Sequence, residues 1–173
     1  MLKHALIGDD LLWDIIINND LNSIMEPDCI SNVIFLSAAF KAGIVERDEQ
    51  ESGLRAILNF GHTIGHAIES VMEYSGISHG EAVAIGIKAE MEISRRLGWL
   101  SDDEIGHVDD IMKRYQLIYN NYDLNADNVI KHMIFDKKNS DGNVNCVLLK
   151  GLGTPVFNQP LDMKMVKDVI IKL

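Results

Sequence analysis

Apolar residues recur every three or four positions along most of this 173-residue chain. That spacing places them on one face of an α-helix, so the chain is predicted to be mainly helical. Helix start and stop signals divide the pattern into segments expected at about residues 2–19, 27–49, 56–74, 81–97, 101–116, 127–135 and 163–172. Only VNCVLLKG and TPVFN resemble strands, and a turn at Asp141-Gly142 precedes the first of them. The predicted fold class is mainly α, with a small β element near residues 143–158.

The length of the chain is enough for one domain with a hydrophobic core. It contains no internal repeat, low-complexity stretch or linker, so we expect a single helical domain over residues 1–173. The first helix has no capping residue ahead of it, which favours a chain that begins inside a longer protein. No GxGxxG-type loop follows a strand, so no nucleotide-binding half is expected within this chain.

The charge balance limits the possible partners. A formal net charge of -10 and a pI near 4.9 argue against nucleic acid or an anionic membrane, because the field of the protein would repel both. An anionic substrate would need a local cluster of cations. No apolar run approaches the roughly 18 residues that suggest a membrane span. Cys29 and Cys146 are isolated, which predicts buried thiols in a reducing compartment, the cytoplasm.

The stretch LNFGHTIGHAIES carries the first candidate site. His62 and His66 are four residues apart and would share one face of a helix, and each follows a glycine that leaves room for a close approach. Such a pair is a common template for zinc, which takes three protein ligands at catalytic sites. Further ligands are expected among His79, Glu69 and Glu81. The alternative is that these histidines are core or cap residues bonded to backbone carbonyls.

A second pattern concerns cations. Arg55, Asn59, His62 and His66 follow a 4-3-4 spacing, which predicts one continuous polar stripe on a helix, and Lys41 closes the apolar face of the preceding helix. A planar guanidinium suits phosphate or carboxylate, so this stripe is expected to meet an anionic ligand.

The remaining histidines and lysines carry little information by themselves. His4, His107 and His132 have no partner at ligand spacing and are expected at the surface or at helix caps. Lys3 near the start of the chain and the pair Lys137-Lys138 are individually typical of solvated charges.

Three stretches, KAGIVERDEQESGLRAILNFGHTIGHAIES, HGEAVAIGIKAE and FDKKNSDG, resemble the C-terminal half of the 3-dehydroquinate synthases, which are sugar phosphate cyclases. The resemblance extends over essentially the whole chain. It implies a helical C-terminal domain, a Rossmann-like NAD-binding domain outside this chain, and a homodimer for the full-length enzyme.

The resemblance also implies roles for individual residues. His62 and His79 match zinc (or cobalt) ligands, and the third ligand of the family is a glutamate whose position falls one residue before Met1. His66 matches a residue that faces the substrate or its phosphate. Further matches to substrate-contacting residues are Lys3, Lys41, Arg55, Asn59 and one of Lys137 and Lys138.

The implied activity is an NAD- and metal-dependent lyase of the shikimate pathway, acting on 3-deoxy-D-arabino-heptulosonate 7-phosphate, with the chain inactive by itself. Three alternatives remain open at this stage: another sugar phosphate cyclase, a metal-dependent polyol dehydrogenase, and a non-catalytic module that keeps the site as a relic. Lys41, Arg55 and the pair Lys137-Lys138 disfavour the dehydrogenase, because a neutral polyol needs no phosphate-binding cations.

Overall fold

A computed structural model of the chain describes residues 1–50, 53–72, 76–118, 122–138 and 144–173, without the side chains of residues 136–138. The described part contains helices and one two-stranded sheet, which confirms the predicted mainly α class. In chain order the elements are α1 (Leu2–Leu6), α2 (Asp10–Asn18), α3 (Leu21–Ile24), α4 (Pro27–Arg47), a 3-10 helix (Leu54–Asn59), α5 (His62–Val71), α6 (His79–Arg96), α7 (Asp102–Arg114), α8 (Ala126–Lys138), β1 (Asn145–Leu149), β2 (Pro155–Pro160) and α9 (Met163–Ile170).

The two strands form the predicted β element. β1 and β2 pair antiparallel, with Cys146 opposite Gln159 and an irregularity between Cys146 and Leu148. Cys146 is buried, as predicted, and burial raises the pKa of its thiol, whereas Cys29 is only half-buried. The predicted turn at Asp141-Gly142 lies outside the described residues.

The first predicted helix is in fact two helices. Gly8 adopts a φ of +123°, which a residue with a side chain rarely takes, and this ends α1. The Asp9 carboxylate then accepts a hydrogen bond from the Leu12 backbone N–H at 3.1 Å and caps α2. The apolar periodicity continues across the break, and for that reason the periodicity alone did not predict it.

The predicted helix over residues 56–74 is also interrupted. Leu54–Asn59 is a 3-10 helix, and Gly61, at a φ of +79°, separates it from α5. The prediction of one continuous stripe from Arg55 to His66 is therefore wrong, because the two ends lie on different elements. The predicted end of this helix at Tyr74 lies outside the described residues.

Capping boxes begin the next two helices. Ser78 and Glu81 form one, so α6 begins at His79 rather than at the predicted Glu81. Ser101 and Glu104 form the other at the start of α7, as predicted. In both boxes the serine hydroxyl and the glutamate carboxylate satisfy backbone N–H groups that have no partner within the helix.

The close packing of α5 on α6 determines where the site lies. A Cβ built on Gly86 would overlap the carbonyl oxygen of Gly61, and one built on Gly65 would lie 3.0 Å from the Ala82 carbonyl oxygen. The two backbones therefore touch at these glycines. One buried cluster joins α5 and α6 to α8, α9 and β1, and a second joins α6 to α1, α7 and the 3-10 helix.

α4 differs from the other helices in its exposure. Val33 and Ile44 face the domain, whereas Ile34 and Phe35 are 56% and 68% exposed. By length and composition alone α4 could cross a membrane, contrary to the expectation that no apolar run is long enough. This is weak evidence for a span, because core helices and signal sequences meet the same criterion. The residues that the structure describes leave an apolar face of α4 uncovered.

His4 is buried, and the prediction of a surface or cap role is wrong for it. The residue is 9% exposed, and its ring lies between α1 and α4, where Nδ1 is 2.8 Å from the Ser37 hydroxyl and the ring is 5.5 Å from that of Phe40. Burial lowers its pKa from 6.5 to about 4, and the N-terminus and two lysines add to this effect. His4 therefore links the first helix to α4.

Candidate metal and substrate site

Three histidine rings converge where α5 and α6 meet. His62 and His66 lie one turn apart on α5, with ring centroids separated by 5.3 Å. His79, the first residue of α6, lies 5.6 Å from the ring of His62 and 5.9 Å from that of His66. The predicted common face of His62 and His66 is therefore present, and the fold adds His79 to it.

His62 is arranged as a neutral imidazole. Its Nδ1 lies 3.1 Å from the Phe60 carbonyl oxygen, which can only accept, so we assign the ring proton to Nδ1. Burial lowers the pKa of His62 to about 4, and Lys3 adds to that effect. Its Nε2 consequently keeps a lone pair, and that atom is 3.5 Å from the Lys3 ammonium.

Glu69 holds His79 in a similar way. Its two carboxylate oxygens lie 3.2 and 3.1 Å from Nδ1 of His79. The Glu69 side chain is 11% exposed and that of His79 is 59% exposed. The mostly buried Glu69 side chain on α5 thus contacts a histidine ring that is largely exposed to solvent.

Glu81, the other carboxylate considered as a ligand, points elsewhere. Its carboxylate accepts hydrogen bonds from the Ser78 hydroxyl at 3.0 Å and from the Tyr122 hydroxyl at 2.8 Å. It belongs to the capping box of α6 and to a link with the segment before α8.

The donor groups at this point fit a divalent metal ion. The ligand atoms of His66, Glu69 and His79 all lie within 4.8 Å of one another, and the ring of His62 lies 5.3 Å from that of His66 and 5.6 Å from that of His79. Imidazole nitrogens with a carboxylate are the donors that zinc and cobalt accept. This geometric group contains His79 but not His62, so it differs from the ligand pair that the resemblance implied.

One lysine, Lys3, lies beside His62. Lys3 on α1 donates from Nζ to the Leu58 carbonyl oxygen at 2.6 Å, in addition to its approach to His62. Burial lowers the pKa of Lys3 to about 8, and the charge of Lys41 contributes to that effect. The fold therefore couples these two charges, which are 38 positions apart in the sequence.

Asp48 positions the backbone at Arg55. This carboxylate, 7% exposed, accepts from the backbone N–H groups of Gly53 at 2.9 Å and Arg55 at 2.8 Å. The Arg55 guanidinium donates to the Glu49 carbonyl oxygen at 3.4 Å. Sequence reasoning missed Asp48, although an aspartate at the end of a helix shortly before a glycine was a signal for such a loop contact.

An open cleft of about 800 Å³ contains the site. It is lined by residues of the 3-10 helix, α5, α6 and α8 and by one residue before β1: Asn59, His62, Thr63, His66, Ala67, Glu69, Ser70, His79, His132, Met133, Phe135 and Val144. Within the described ranges, Lys41 and Arg55 do not line this cleft. The side chains of Lys137 and Lys138 lie outside the description. The contribution of α8 was not predicted.

Comparison with known proteins identifies relatives of this sequence. A family model described as 3-dehydroquinate synthase C-terminal matches residues 1–139. The 3-dehydroquinate synthase of Acinetobacter baumannii (strain SDF) is 39% identical over 99% of the chain and 48% of its own length. That of Methylococcus capsulatus is 44% identical over 84% of the chain and 41% of its own length. The chain spans about half the length of the curated relatives it matches.

Solved structures share the fold. A 2-epi-5-epi-valiolone synthase from Streptomyces hygroscopicus, with NAD+ and Zn2+ bound, superposes on 99% of this chain with 48% of its own, at a TM-score of 0.85 and 23% identity. A 2-deoxy-scyllo-inosose synthase, complexed with carbaglucose-6-phosphate, NAD+ and Co2+, gives a TM-score of 0.84 and 25% identity over 99% of this chain and 49% of its own. With the family match, these findings show that the chain belongs to the 3-dehydroquinate synthase family and is a C-terminal domain of that family.

Proposed function

We propose that this chain forms the metal- and substrate-binding part of a 3-dehydroquinate synthase, which converts 3-deoxy-D-arabino-heptulosonate 7-phosphate to 3-dehydroquinate and phosphate. The observation that carries the proposal is the convergence of three histidines near Lys3, in a chain 39% identical along its length to an enzyme of that name. The NAD-binding domain would lie outside these 173 residues, and the full-length enzyme would be a cytoplasmic homodimer.

His62 and His79 are the residues that we assign to the metal ion, zinc or cobalt, together with a glutamate outside this chain. When bound, such an ion supplies Lewis acidity that makes a neighbouring substrate hydroxyl easier to ionise. The low pKa of His62 supports this assignment, because a ligand imidazole must be neutral. NAD, the hydride acceptor, would be held mainly by the other domain.

The cations would bind the two anionic groups of the substrate, its carboxylate and its phosphate. The charge of Lys41 acts on Lys3, and Arg55 and one of Lys137 and Lys138 complete the proposed set. In a protein with a net charge of -10, such a local cluster is needed to attract a dianion. An anion beside Lys3 would raise the lowered pKa of that lysine, and its ammonium form would hold the substrate more tightly.

Asn59 and His66 would orient the substrate within the cleft, since both line it. Holding a flexible sugar acid in one geometry can supply a large part of a rate enhancement. We assign these two residues to substrate contact rather than to the metal.

A different sugar phosphate cyclase is the second candidate. The solved relatives named above share the fold, but their identity of 23–25% is well below the 39% found with 3-dehydroquinate synthase. The polyol dehydrogenase is disfavoured by Lys3, Lys41 and Arg55, as a neutral substrate needs no such cluster. A non-catalytic module would have no reason to keep the neutral His62 beside a half-buried ammonium group.

The test is phosphate release from the seven-carbon keto acid phosphate in the presence of NAD and zinc. We expect release by a full-length protein that contains this chain and none by the chain alone, and we expect His79→Ala to abolish it. Release from another sugar phosphate, with none from this substrate, would move the assignment to a different cyclase. No release from any of them would favour the non-catalytic module.

A further inference from the structure

The contact between Glu69 and His79 joins two residues of different exposure. Glu69 follows His62 and His66 on the same face of α5, and its side chain is only 11% exposed. Both of its oxygens nevertheless approach one atom, Nδ1 of His79, at 3.2 and 3.1 Å. Burial of a carboxylate is costly unless a donor compensates it. Nδ1 of His79 is the donor that Glu69 meets here.

This contact determines which nitrogen of His79 can bind a ligand. A carboxylate only accepts, so the ring proton must lie on Nδ1, and the lone pair of the neutral ring is then on Nε2. Phe60 has the same effect on His62 through its carbonyl oxygen, 3.1 Å from Nδ1. Both histidines assigned to the metal are thus held with the lone pair on Nε2.

We infer that Glu69 is a positioning residue for the metal site: through Nδ1 it holds the ring of His79 in the orientation and tautomer that present Nε2 to a divalent cation. Partners of this kind also raise the basicity of the ligand nitrogen. The inference rests on the proposed metal-binding function. It adds to the site a residue that does not bind the metal itself but orients one of the ligands.

The competing role for Glu69 is that of a direct ligand. Its ligand atom lies within 4.8 Å of those of His66 and His79, so distance permits it. However, both of its oxygens already approach the Nδ1 proton of His79. A cation at those oxygens would compete with that proton, whereas a cation at Nε2 leaves the hydrogen bond intact. The geometry therefore favours the indirect role.

The experiment has two readouts on the purified chain. The first is the His79 tautomer without metal, from ring nitrogen shifts in NMR spectra. We expect the Nδ1–H form in the wild type and in Glu69→Gln, which keeps an acceptor, and its loss in Glu69→Met. The second readout is the zinc affinity of each variant, measured by competition with a chromophoric chelator. We expect Glu69→Met to weaken zinc binding by about 10- to 100-fold, with Glu69→Gln between Met and the wild type.

Two further variants separate the roles. In His79→Ala, adding Glu69→Met is expected to cause no further loss of zinc affinity, because a positioning residue acts only through its partner. An undiminished further loss would make Glu69 a ligand and overturn the inference.

Glu81→Gln is the control for charge. It removes a nearby charge without touching the contact between Glu69 and His79, and it can keep the capping box. We expect Glu81→Gln to change zinc affinity by less than about threefold. An effect as large as that of Glu69→Met would show that the loss comes from removing a negative charge and not from the contact with His79, and would overturn the inference.

The two readouts also separate this inference from the proposed function. An Nε2–H tautomer in the wild-type chain would overturn the positioning role whatever the zinc affinity. The expected tautomers in a wild-type chain that binds no zinc would support the contact and count against the metal-binding function instead.

Discussion

The carboxylate of Glu90 on α6 binds the backbone of Gly61 at the start of α5: Oε2 accepts the Gly61 N–H at 2.6 Å. Glu90 is fully buried, and its Oε1 has no hydrogen-bond partner among the described residues. Burial raises its pKa well above the ordinary value, while the backbone N–H groups of Gly61 and Ile64 oppose that rise. His62 follows Gly61 directly, so Glu90 supports the residue at the centre of the site.

Replacing Glu90 tests this support. Glu90→Ala leaves the Gly61 N–H without its acceptor and opens a cavity, and we expect a loss of about 2 to 4 kcal/mol in the free energy of unfolding. Glu90→Gln keeps an oxygen for Gly61 and is expected to cost less than about 1 kcal/mol near neutral pH. Chemical denaturation of both variants measures the difference. Equal losses would show that the hydrogen bond contributes little.

The raised pKa of Glu90 also predicts a pH dependence. The folded chain holds this proton above pH 4.5, where the unfolded chain has released it, so this contribution to stability is complete below pH 4.5 and is lost as the pH rises through the folded-state pKa. Glu90→Gln cannot titrate. Its stability relative to the wild type should therefore increase with pH, as denaturation curves at several pH values would show, and a constant difference would contradict the raised pKa.

Gly86 is required by the contact of α5 with α6. A Cβ at this position would overlap the Gly61 carbonyl oxygen, so Gly86→Ala must push the helices apart. We expect a loss of about 3 kcal/mol or more in stability, together with weaker metal binding, because His62 would move. Gly106 on α7 has open space around it, and Gly106→Ala should gain about 0.5 to 1 kcal/mol. Thermal unfolding of the two variants compares these effects, and similar melting temperatures would contradict the overlap.

His4 should make the apo-chain less stable in mild acid. Its pKa falls from 6.5 to about 4 on folding, so the unfolded chain binds the proton more readily as the pH falls through that window, and the stability present above pH 6.5 is lost by pH 4. The upper limit is about 3 kcal/mol. His62, whose pKa is lowered to about 4, acts in the same direction. In His4→Gln the loss between pH 7 and pH 4 should be smaller than in the wild type, and an unchanged loss would contradict a neutral buried His4.

Zinc binding distinguishes the two possible ligand sets. If His62 and His79 hold the metal through Nε2, His62→Ala and His79→Ala should each leave only weak residual zinc binding by the chain, while His66→Ala should keep an affinity close to that of the wild type. Calorimetric titration with zinc measures all three. Loss in His66→Ala and His79→Ala, with His62→Ala unaffected, would favour the group of His66, Glu69 and His79. Equal loss of zinc binding in all three variants would contradict the assignment of only His62 and His79 as ligands.

Local signals in the sequence predicted a large part of this protein. The 3.6-residue periodicity indicated the helices, and the capping box of Ser101 and Glu104 marked the start of α7 because both partners lie within one turn. The i, i+4 spacing brought His62 and His66 to one face for the same reason. The resemblance to 3-dehydroquinate synthases was confirmed by the family match over residues 1–139. Site roles that came from the resemblance remain predictions.

Tertiary structure decided what depends on distant partners. The break at Gly61 could not be predicted from periodicity, since its left-handed backbone accompanies the contact with Gly86, 25 residues later, and the hydrogen bond to Glu90. The same holds for Glu69, whose hydrogen bond to His79 crosses from α5 to α6. Periodicity reports which face of a helix is apolar, and it contains no information about which other helix meets that face. The sequence by itself determined most of the helices and the candidate residues, whereas the packing of α5 on α6 decided which of those residues share one site.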